Sequence, residues 1–403
     1  MVRMKGKTTP MNPAISTQPL HICGTTNDGK LWHTTRSMQG SAESWSPWEE
    51  IKPAAASLPG PFIRVSCTSI MTPQTAELHI FGVIQGGKLL HTSRPPQKDW
   101  QPFEDLEIHI GRGWGTYKDV AVTRNNLQLC ALALTKPKEQ RILYTTRGNR
   151  TWDSFQDVNR TQLAGFPGSF SSISCEIGKL GELHVCGITD DGKLWYTNHF
   201  FDPPWLPFTN VSAITKNAPK ALKDVSIAEV SGTLHVFVQA GGNLWHTTRS
   251  TDPPYWQSTF DDIKQQASNP GTFDAISCTA IGTDHSSELH VCGLTNDGKL
   301  WHTFLSSAST SPKWQPFEDL TAIIGNPGHL SSVSSTNEPI FTLEVPEGYD
   351  PTCDQYNACI DNDMSMIEYL QQQGVSNGQI QGLQDDIASV RQQAQDYGCQ
   401  SIH

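Results

Sequence analysis

Leu20-His-Ile-Cys-Gly-Thr-Thr-Asn-Asp-Gly-Lys-Leu-Trp-His-Thr-Thr-Arg36 is a sentence the chain repeats. It returns as residues 78–94, 183–199, 234–249 and 289–305, with a worn copy running from Leu127 to Arg147. The opening leucines stand at 20, 78, 127, 183, 234 and 289, so the spacings are 58, 49, 56, 51 and 55. A period of this size marks a repeat architecture. The middle of each copy reads as a hairpin. Asn27-Asp28-Gly29, Asp190-Asp191-Gly192 and Asn296-Asp297-Gly298 tolerate the positive φ of a tight turn, and Gly86-Gly87 and Gly241-Gly242 serve two other copies. The flanks are rich in β-branched and aromatic residues, as strands are.

Working outward, a β-like run precedes most copies: Phe62-Ile-Arg-Val-Ser-Cys67, Phe170-Ser-Ser-Ile-Ser-Cys175 and Phe273-Asp-Ala-Ile-Ser-Cys278, with variants at 117–122 and 222–227. An aromatic pair follows every copy: Trp45/Trp48, Trp100/Phe103, Trp152/Phe155, Trp205/Phe208, Trp256/Phe260 and Trp314/Phe317. Four short strands per unit is the blade of a β-propeller. The first copy lacks its preceding run, and a spare one, Leu330-Ser-Ser-Val-Ser-Ser335, follows the sixth. The expectation is an all-β chain: a six-bladed β-propeller of four-stranded blades over residues 17–336, closed by a C-terminal strand.

The rest divides by composition. Residues 1–16 read as a flexible N-terminal segment, 337–349 as a linker and 350–403 as a helical C-terminal extension. In the extension Ile380, Leu383, Ile387, Val390, Ala394 and Tyr397 follow a 3,4,3,4,3 spacing. With a preceding helix at 361–372 this predicts a small α-helical hairpin, either docked on the propeller or joining copies in a homo-oligomer.

Charge excludes some functions. Lys and Arg total 29 against 40 Asp and Glu, a formal charge of −11, which argues against nucleic acid. No apolar run is long enough for membrane insertion, and no Sec-type signal peptide is visible, so the expectation is a cytoplasmic protein or one secreted by a non-classical route. The Asn149, Asn159 and Asn210 N-x-Ser/Thr triplets are therefore taken as chance.

Seven of the ten cysteines lie in repeat strands, at 23, 67, 130, 175, 186, 278 and 292, where other copies carry Phe, Val, Ile or Ser. Such slots are buried and apolar, and suit reduced thiols. Cys353, Cys359 and Cys399 are the better disulfide candidates. Histidine recurs at 21, 79, 184, 235 and 290 and again at 33, 91, 246 and 302; Gln128 replaces the first, and Tyr144 and Tyr196 the second. Without an acid or cysteine at ligand spacing these read as structural hydrogen-bonding residues; no metal and no cofactor is expected.

Six similar units suit a multivalent binder better than an enzyme, whose site is usually single. In Leu31-Trp-His-Thr-Thr-Arg36 the strand period puts Trp32, Thr34 and Arg36 on one face. An indole, a hydroxyl and a guanidinium together suit a sugar. Across the copies the candidate carbohydrate-binding residues are Trp32, Thr34, Arg36, Arg94, Arg147, Trp195, Trp245, Thr247, Arg249 and Trp301. Leu90 and Leu143 replace the Trp, and His199 and Leu305 the Arg, so only the first and fifth copies keep both. The aromatic pair survives in all six copies and reads as packing between blades.

The unit Leu289-His-Val-Cys-Gly-Leu-Thr-Asn-Asp-Gly-Lys-Leu-Trp-His-Thr303, followed by Trp314-Gln-Pro-Phe-Glu-Asp-Leu320, resembles tectonin-like and fucose-binding β-propeller lectins. The resemblance covers residues 17–336. It implies binding of fucose, O-methylated sugars or related glycans, free or on glycoproteins, in pockets between neighbouring blades, and a role in host recognition or defence. Two other readings stay open. One is a protein-interaction or receptor-binding subunit of a toxin or defence system. The other, a glycosidase, is disfavoured: Asp28-Gly29 are adjacent where the sialidase Asp-box separates them, and Phe62-Ile-Arg64-Val only approaches the Arg motif of those enzymes.

Overall fold

The computed structural model of the protein describes residues 18–338, short loop segments excepted, and beyond them only Ala388 and Arg391. The expected N-terminal segment, the linker beyond Glu338, the helical hairpin apart from Ala388 and Arg391, and Cys353, Cys359 and Cys399 lie outside the described residues; Asn337, expected in the linker, ends a strand.

Six antiparallel sheets follow one another. In blade 2 the strands run from inside outward as Phe62–Met71, Ala76–Ile84, Leu89–Arg94 and Glu104–Asp105. Blades 3, 4, 5 and 6 repeat the plan from inner strands Tyr117–Asn125, Phe170–Ile177, Leu222–Val230 and Phe273–Ile281. In blade 1 the inner strand is Leu330–Asn337, which pairs antiparallel with Leu20–Thr26, so that Leu20 faces Asn337. Each inner strand touches the next, and Leu330–Asn337 touches those of both blade 6 and blade 2. The sheets therefore stand in a six-bladed ring.

The predicted hairpin turns sit where the glycines are. Gly29 has φ 81°, and a Cβ there would lie 2.4 Å from Pro61, so the turn needs both the conformation and the bare backbone.

The apolar core is not central. It is divided into six clusters, one between each pair of neighbouring blades. Strand alternation explains this: one face of each blade buries against the blade before it, the other against the blade after. The centre is polar. A cavity of about 560 Å³ is lined by the inner strands of all the blades. There, serine hydroxyls stitch blade to blade. Ser334 accepts from Cys67 N–H (3.0 Å), Ser66 from Val122 (3.0 Å), Ser174 from Ile227 (3.1 Å), Ser226 from Cys278 (2.9 Å) and Ser277 from Ser335 (2.8 Å).

The third copy is corrected by its register. Arg147 pairs with Leu129, as Arg36 pairs with Leu20, so the copy opens at Leu129 and not at Leu127. Cys130, not Gln128, then takes the first histidine position, and Leu132 takes the place of Cys23. The opening leucines become more evenly spaced, at 58, 51, 54, 51 and 55. The cysteine is chemically consistent with that slot, because its thiol hydrogen-bonds Tyr144 where other blades pair two histidines. All seven strand cysteines are free and buried.

Four short helices among the described residues were not expected: α1 Leu106–Ile110, α2 Val211–Ile214, α3 Ile263–Ala267 and α4 Leu320–Ile324. Each follows an outer strand and is capped by the side chain of Asp105, Asn210, Asp262 or Asp319. No helix among the described residues is long and apolar enough to cross a membrane.

Candidate functional site

The third strand of each blade carries the candidate residues, and its alternation is as expected. Trp195 packs in the cluster between blades 3 and 4, Trp245 in that between 4 and 5, and Trp301 in that between 5 and 6. The Trp–Thr–Arg face therefore looks at the preceding blade. The indoles are half-buried. Trp32 Nε1 donates to Thr26 Oγ1 (3.4 Å) and Trp301 Nε1 to Thr295 Oγ1 (3.2 Å). The hydroxyls of Thr34 and Thr247 are fully buried and donate to the backbone carbonyls of Ser46 (2.6 Å) and Thr259 (3.1 Å). These threonines fasten the third strand to the segment that follows it.

The arginines are placed differently. Three of the four reach across a blade boundary. Arg36 of blade 1 lies 3.7 Å from Glu288 and 3.5 Å from His290 of blade 6, and its guanidinium covers the Phe304 ring at 5.4 Å. Arg94 of blade 2 donates to Glu49 of blade 1 at 2.7 Å while lying 4.8 Å over Trp100. Arg249 of blade 5 covers Tyr196 of blade 4 at 4.7 Å. Arg147 of blade 3 lies 5.6 Å over Trp152 and acts electrostatically on His79 and His91 of blade 2. Where arginine is missing, His199 stacks on Trp205 (4.7 Å) and Leu305 packs in the core between blades 5 and 6.

The first member of each aromatic pair closes the same boundary. Trp45 meets His302, Trp100 meets His33, Trp152 meets His91, Trp205 meets Tyr144, Trp256 meets Tyr196 and Trp314 meets Phe237, edge to face at 5.3–6.0 Å. The indole N–H groups of Trp100, Trp152 and Trp205 are buried there without a hydrogen-bond partner.

The recurrent histidines pair within blades. Nδ1 and Nε2 approach at 3.0 Å in His21–His33, His79–His91 and His235–His246 and at 2.9 Å in His290–His302; His184 meets the Tyr196 hydroxyl at 2.8 Å. Such a pair needs one ring to donate and the other to accept, so the accepting ring is neutral. Burial favours this by pushing His33 and His235 down to about 4, and His79, His246 and His302 well below the usual value.

Each of these boundaries thus brings together a guanidinium, an aromatic ring and an imidazole, and at two of them a carboxylate is in direct ionic contact. The acids were missed in the sequence. Glu288 has a signal: Glu77-Leu-His79, Glu182-Leu-His184 and Glu288-Leu-His290 repeat one triplet in the second, fourth and sixth copies.

No family model matches the chain, and no curated protein does. Solved structures do. A complex of the Aleuria aurantia lectin with Fucα1-6GlcNAc matches at 14% identity with a TM-score of 0.52, over 77% of this chain and 97% of that one. AofleA from Arthrobotrys oligospora matches at 10% identity with a TM-score of 0.52, over 80% of this chain and 89% of that one. At these identities the likeness is one of fold: the chain shares its β-propeller architecture with both.

Proposed function

We propose that the protein binds carbohydrate in the crevices between blades and has no enzymatic activity of its own. One observation carries this: an arginine from one blade lies against a carboxylate of the preceding blade and over an aromatic ring, as Arg94 does with Glu49 and Trp100 and Arg36 does with Glu288 and Phe304. A sugar hydroxyl both donates and accepts, so a pair of neighbouring hydroxyls satisfies the carboxylate and the guanidinium together. The face of an aromatic ring beside them suits a sugar C–H face or a methyl group, which is why fucose-like and O-methylated glycans are the favoured ligands. Arg36 and Arg94 give two such boundaries, and Arg147 and Arg249 give two more in which a guanidinium lies over an aromatic ring. Several weak sites on one body act by avidity on glycans or glycoproteins that carry repeated sugars. The fold it shares with a structure solved with Fucα1-6GlcNAc supports this reading.

The test is a broad glycan array with the full chain, followed by retention on immobilised fucose. Binding is expected to fall at least tenfold when Arg36 and Arg94 are both changed to Ala, with the thermal transition retained. Silence across the array would remove the proposal and favour a protein-interaction role.

A further inference from the structure

The six blades are not six equal units. The second, fourth and sixth copies open at Leu78, Leu183 and Leu289, intervals of 105 and 106, and each carries the Glu-Leu-His triplet. The same three blades pack an inner-strand phenylalanine against a glycine: a Cβ at Gly82, Gly187 or Gly293 would come within 2.3–2.5 Å of the rings of Phe62, Phe170 and Phe273. They also share the exposed Ile108, Ile214 and Ile323 beside their outer strands. The odd blades share a different feature. At one level of the central cavity Ser332, Asp119 and Asp224 accept the N–H groups of Val65, Ile173 and Ile276 in the even blade that follows. Unrelated contacts thus repeat every second blade, and the ring is three two-blade units.

This divides the crevices. Where an even blade meets the next odd one, an arginine faces a Glu-x-His. Arg36 faces Glu288 and His290, which are 3.1 Å apart. Arg249 covers the Tyr196 ring at 4.7 Å, and the Tyr196 hydroxyl meets His184 at 2.8 Å, which Glu182 meets at 3.0 Å. Arg147 covers Trp152, which meets His91 edge to face at 5.6 Å; His91 bonds His79, and His79 lies 3.7 Å from Glu77. Glu77 and Glu288 lie in the second strand and Glu182 just before it; all three are largely covered, Glu182 almost completely. Where an odd blade meets an even one the position has drifted to Arg94, His199 and Leu305. The Arg94 crevice uses another acid, Glu49, which lies beyond the third strand and is half exposed.

We infer that the three even-to-odd crevices are a matched set of sites for uncharged sugars, spaced by a third of the ring, and that the Arg94 crevice is a separate site of its own class. This rests on the carbohydrate reading above and adds count and ligand charge to it. In the matched set each boundary carries a Glu–His pair beside the arginine's blade, and at Arg36 the carboxylate is in ionic contact with the guanidinium. A ligand carboxylate or sulfate meets that acid as well as the arginine, whereas a neutral diol bonds both. Three alike sites a third of a turn apart suit a partner that presents several copies of one neutral sugar.

The experiment is native mass spectrometry and calorimetry on the full chain with a panel of neutral methyl glycosides (fucoside, mannoside, galactoside, N-acetylglucosaminide) and the methyl glycoside of N-acetylneuraminic acid. The expected result is three equal sites plus one distinct site for a neutral member of the panel, and at least tenfold weaker binding of the acidic one. Glu77→Gln, Glu182→Gln and Glu288→Gln should each lower the equal class from three to two, and Arg94→Ala should remove only the distinct site. Arg147→Lys, which keeps charge but loses the planar fork, replaces Glu77→Gln should that variant unfold. A single class in which Arg94→Ala and the Glu→Gln variants behave alike, or tighter binding of the acidic glycoside, overturns the inference and leaves the carbohydrate reading standing. No binding of any member by the unaltered chain overturns both, before any variant is made.

Discussion

Arg94 Nη1 donates to Glu49 Oε2 over 2.7 Å, across the boundary between blades 1 and 2. Glu49 is held charged from both sides. The hydrogen bond from His33, then the guanidinium of Arg94, pull Glu49 down to about 2, and burial keeps His33 neutral to about 4. For a carboxylate whose folded value is depressed, the favourable contribution is present above the ordinary carboxylate value and is lost as pH falls through about 2. Neither group titrates between pH 5 and 8. Sugar binding at this crevice is expected to stay constant across that window, measured by calorimetry in matched ionic strength. A tenfold change within it would show that another group governs the crevice.

The central cavity behaves in the opposite sense. Burial raises Asp119 to about 6 and Glu176 to about 7. An acid raised on folding favours the folded state below its ordinary value, and that contribution disappears as pH rises through the folded value. Seven buried histidines with lowered values, 33, 79, 91, 184, 235, 246 and 302, pull the other way between pH 4 and 6.5. The parent curve mixes both effects, so the difference between variant and parent is the quantity to follow. Glu176→Gln is expected to gain on the parent from pH 5 to pH 8, by up to roughly 3 kcal/mol. Denaturant midpoints at the two pH values measure it; an unchanged difference would place the Glu176 titration outside that range.

Gly187 faces the ring of Phe170, and a Cβ would sit 2.5 Å from it. Gly187→Ala is expected to cost about 1–3 kcal/mol through overpacking. Adding Phe170→Leu should recover part of that loss in urea unfolding. A Gly187→Ala protein as stable as the parent would mean that the inner strand yields freely.

Ser226 gives its oxygen to the N–H of Cys278 in the next blade. Ser226→Ala leaves that buried donor without its acceptor, at about 1–3 kcal/mol. Ser226→Thr, which restores an oxygen, should lie closer to the parent. Chemical denaturation of the three proteins decides it.

The strand cysteines are shielded. Burial raises Cys130 to about 12 and Cys23 and Cys175 well above the ordinary thiol value. Since the thiolate is the reactive species, Cys23, Cys67, Cys130, Cys175, Cys186, Cys278 and Cys292 are expected to resist a thiol reagent in the native protein and to react together on unfolding. Mass spectrometry after alkylation with and without denaturant counts them.

Local signals were legible in the sequence, and contacts between blades were not. The Asn-Asp-Gly turns, the alternation of Trp32, Thr34 and Arg36, and the recurrent Trp at the blade boundary all follow from residues adjacent in the chain. The register of the third copy was misread because Leu127 and Leu129 are equally good openers; only the pairing of Arg147 decides between them. The partners of the arginines were missed for another reason. Arg36 meets Glu288 and Arg94 meets Glu49 across blades, and a single repeat carries no information about what the neighbouring repeat turns towards it. The short helices were overlooked because four or five residues are too few to show a helical period, although the Asp or Asn before each was in plain view.

Leu20 lies opposite Asn337, and the N–H of Glu338 bonds the carbonyl of Pro19. The two ends of the ring therefore leave side by side from an antiparallel ladder. A force that draws them apart loads its hydrogen bonds one after another rather than together. The seam should part at low tension in a single-molecule pulling experiment, while a pull between two interior blades meets several ladders in shear.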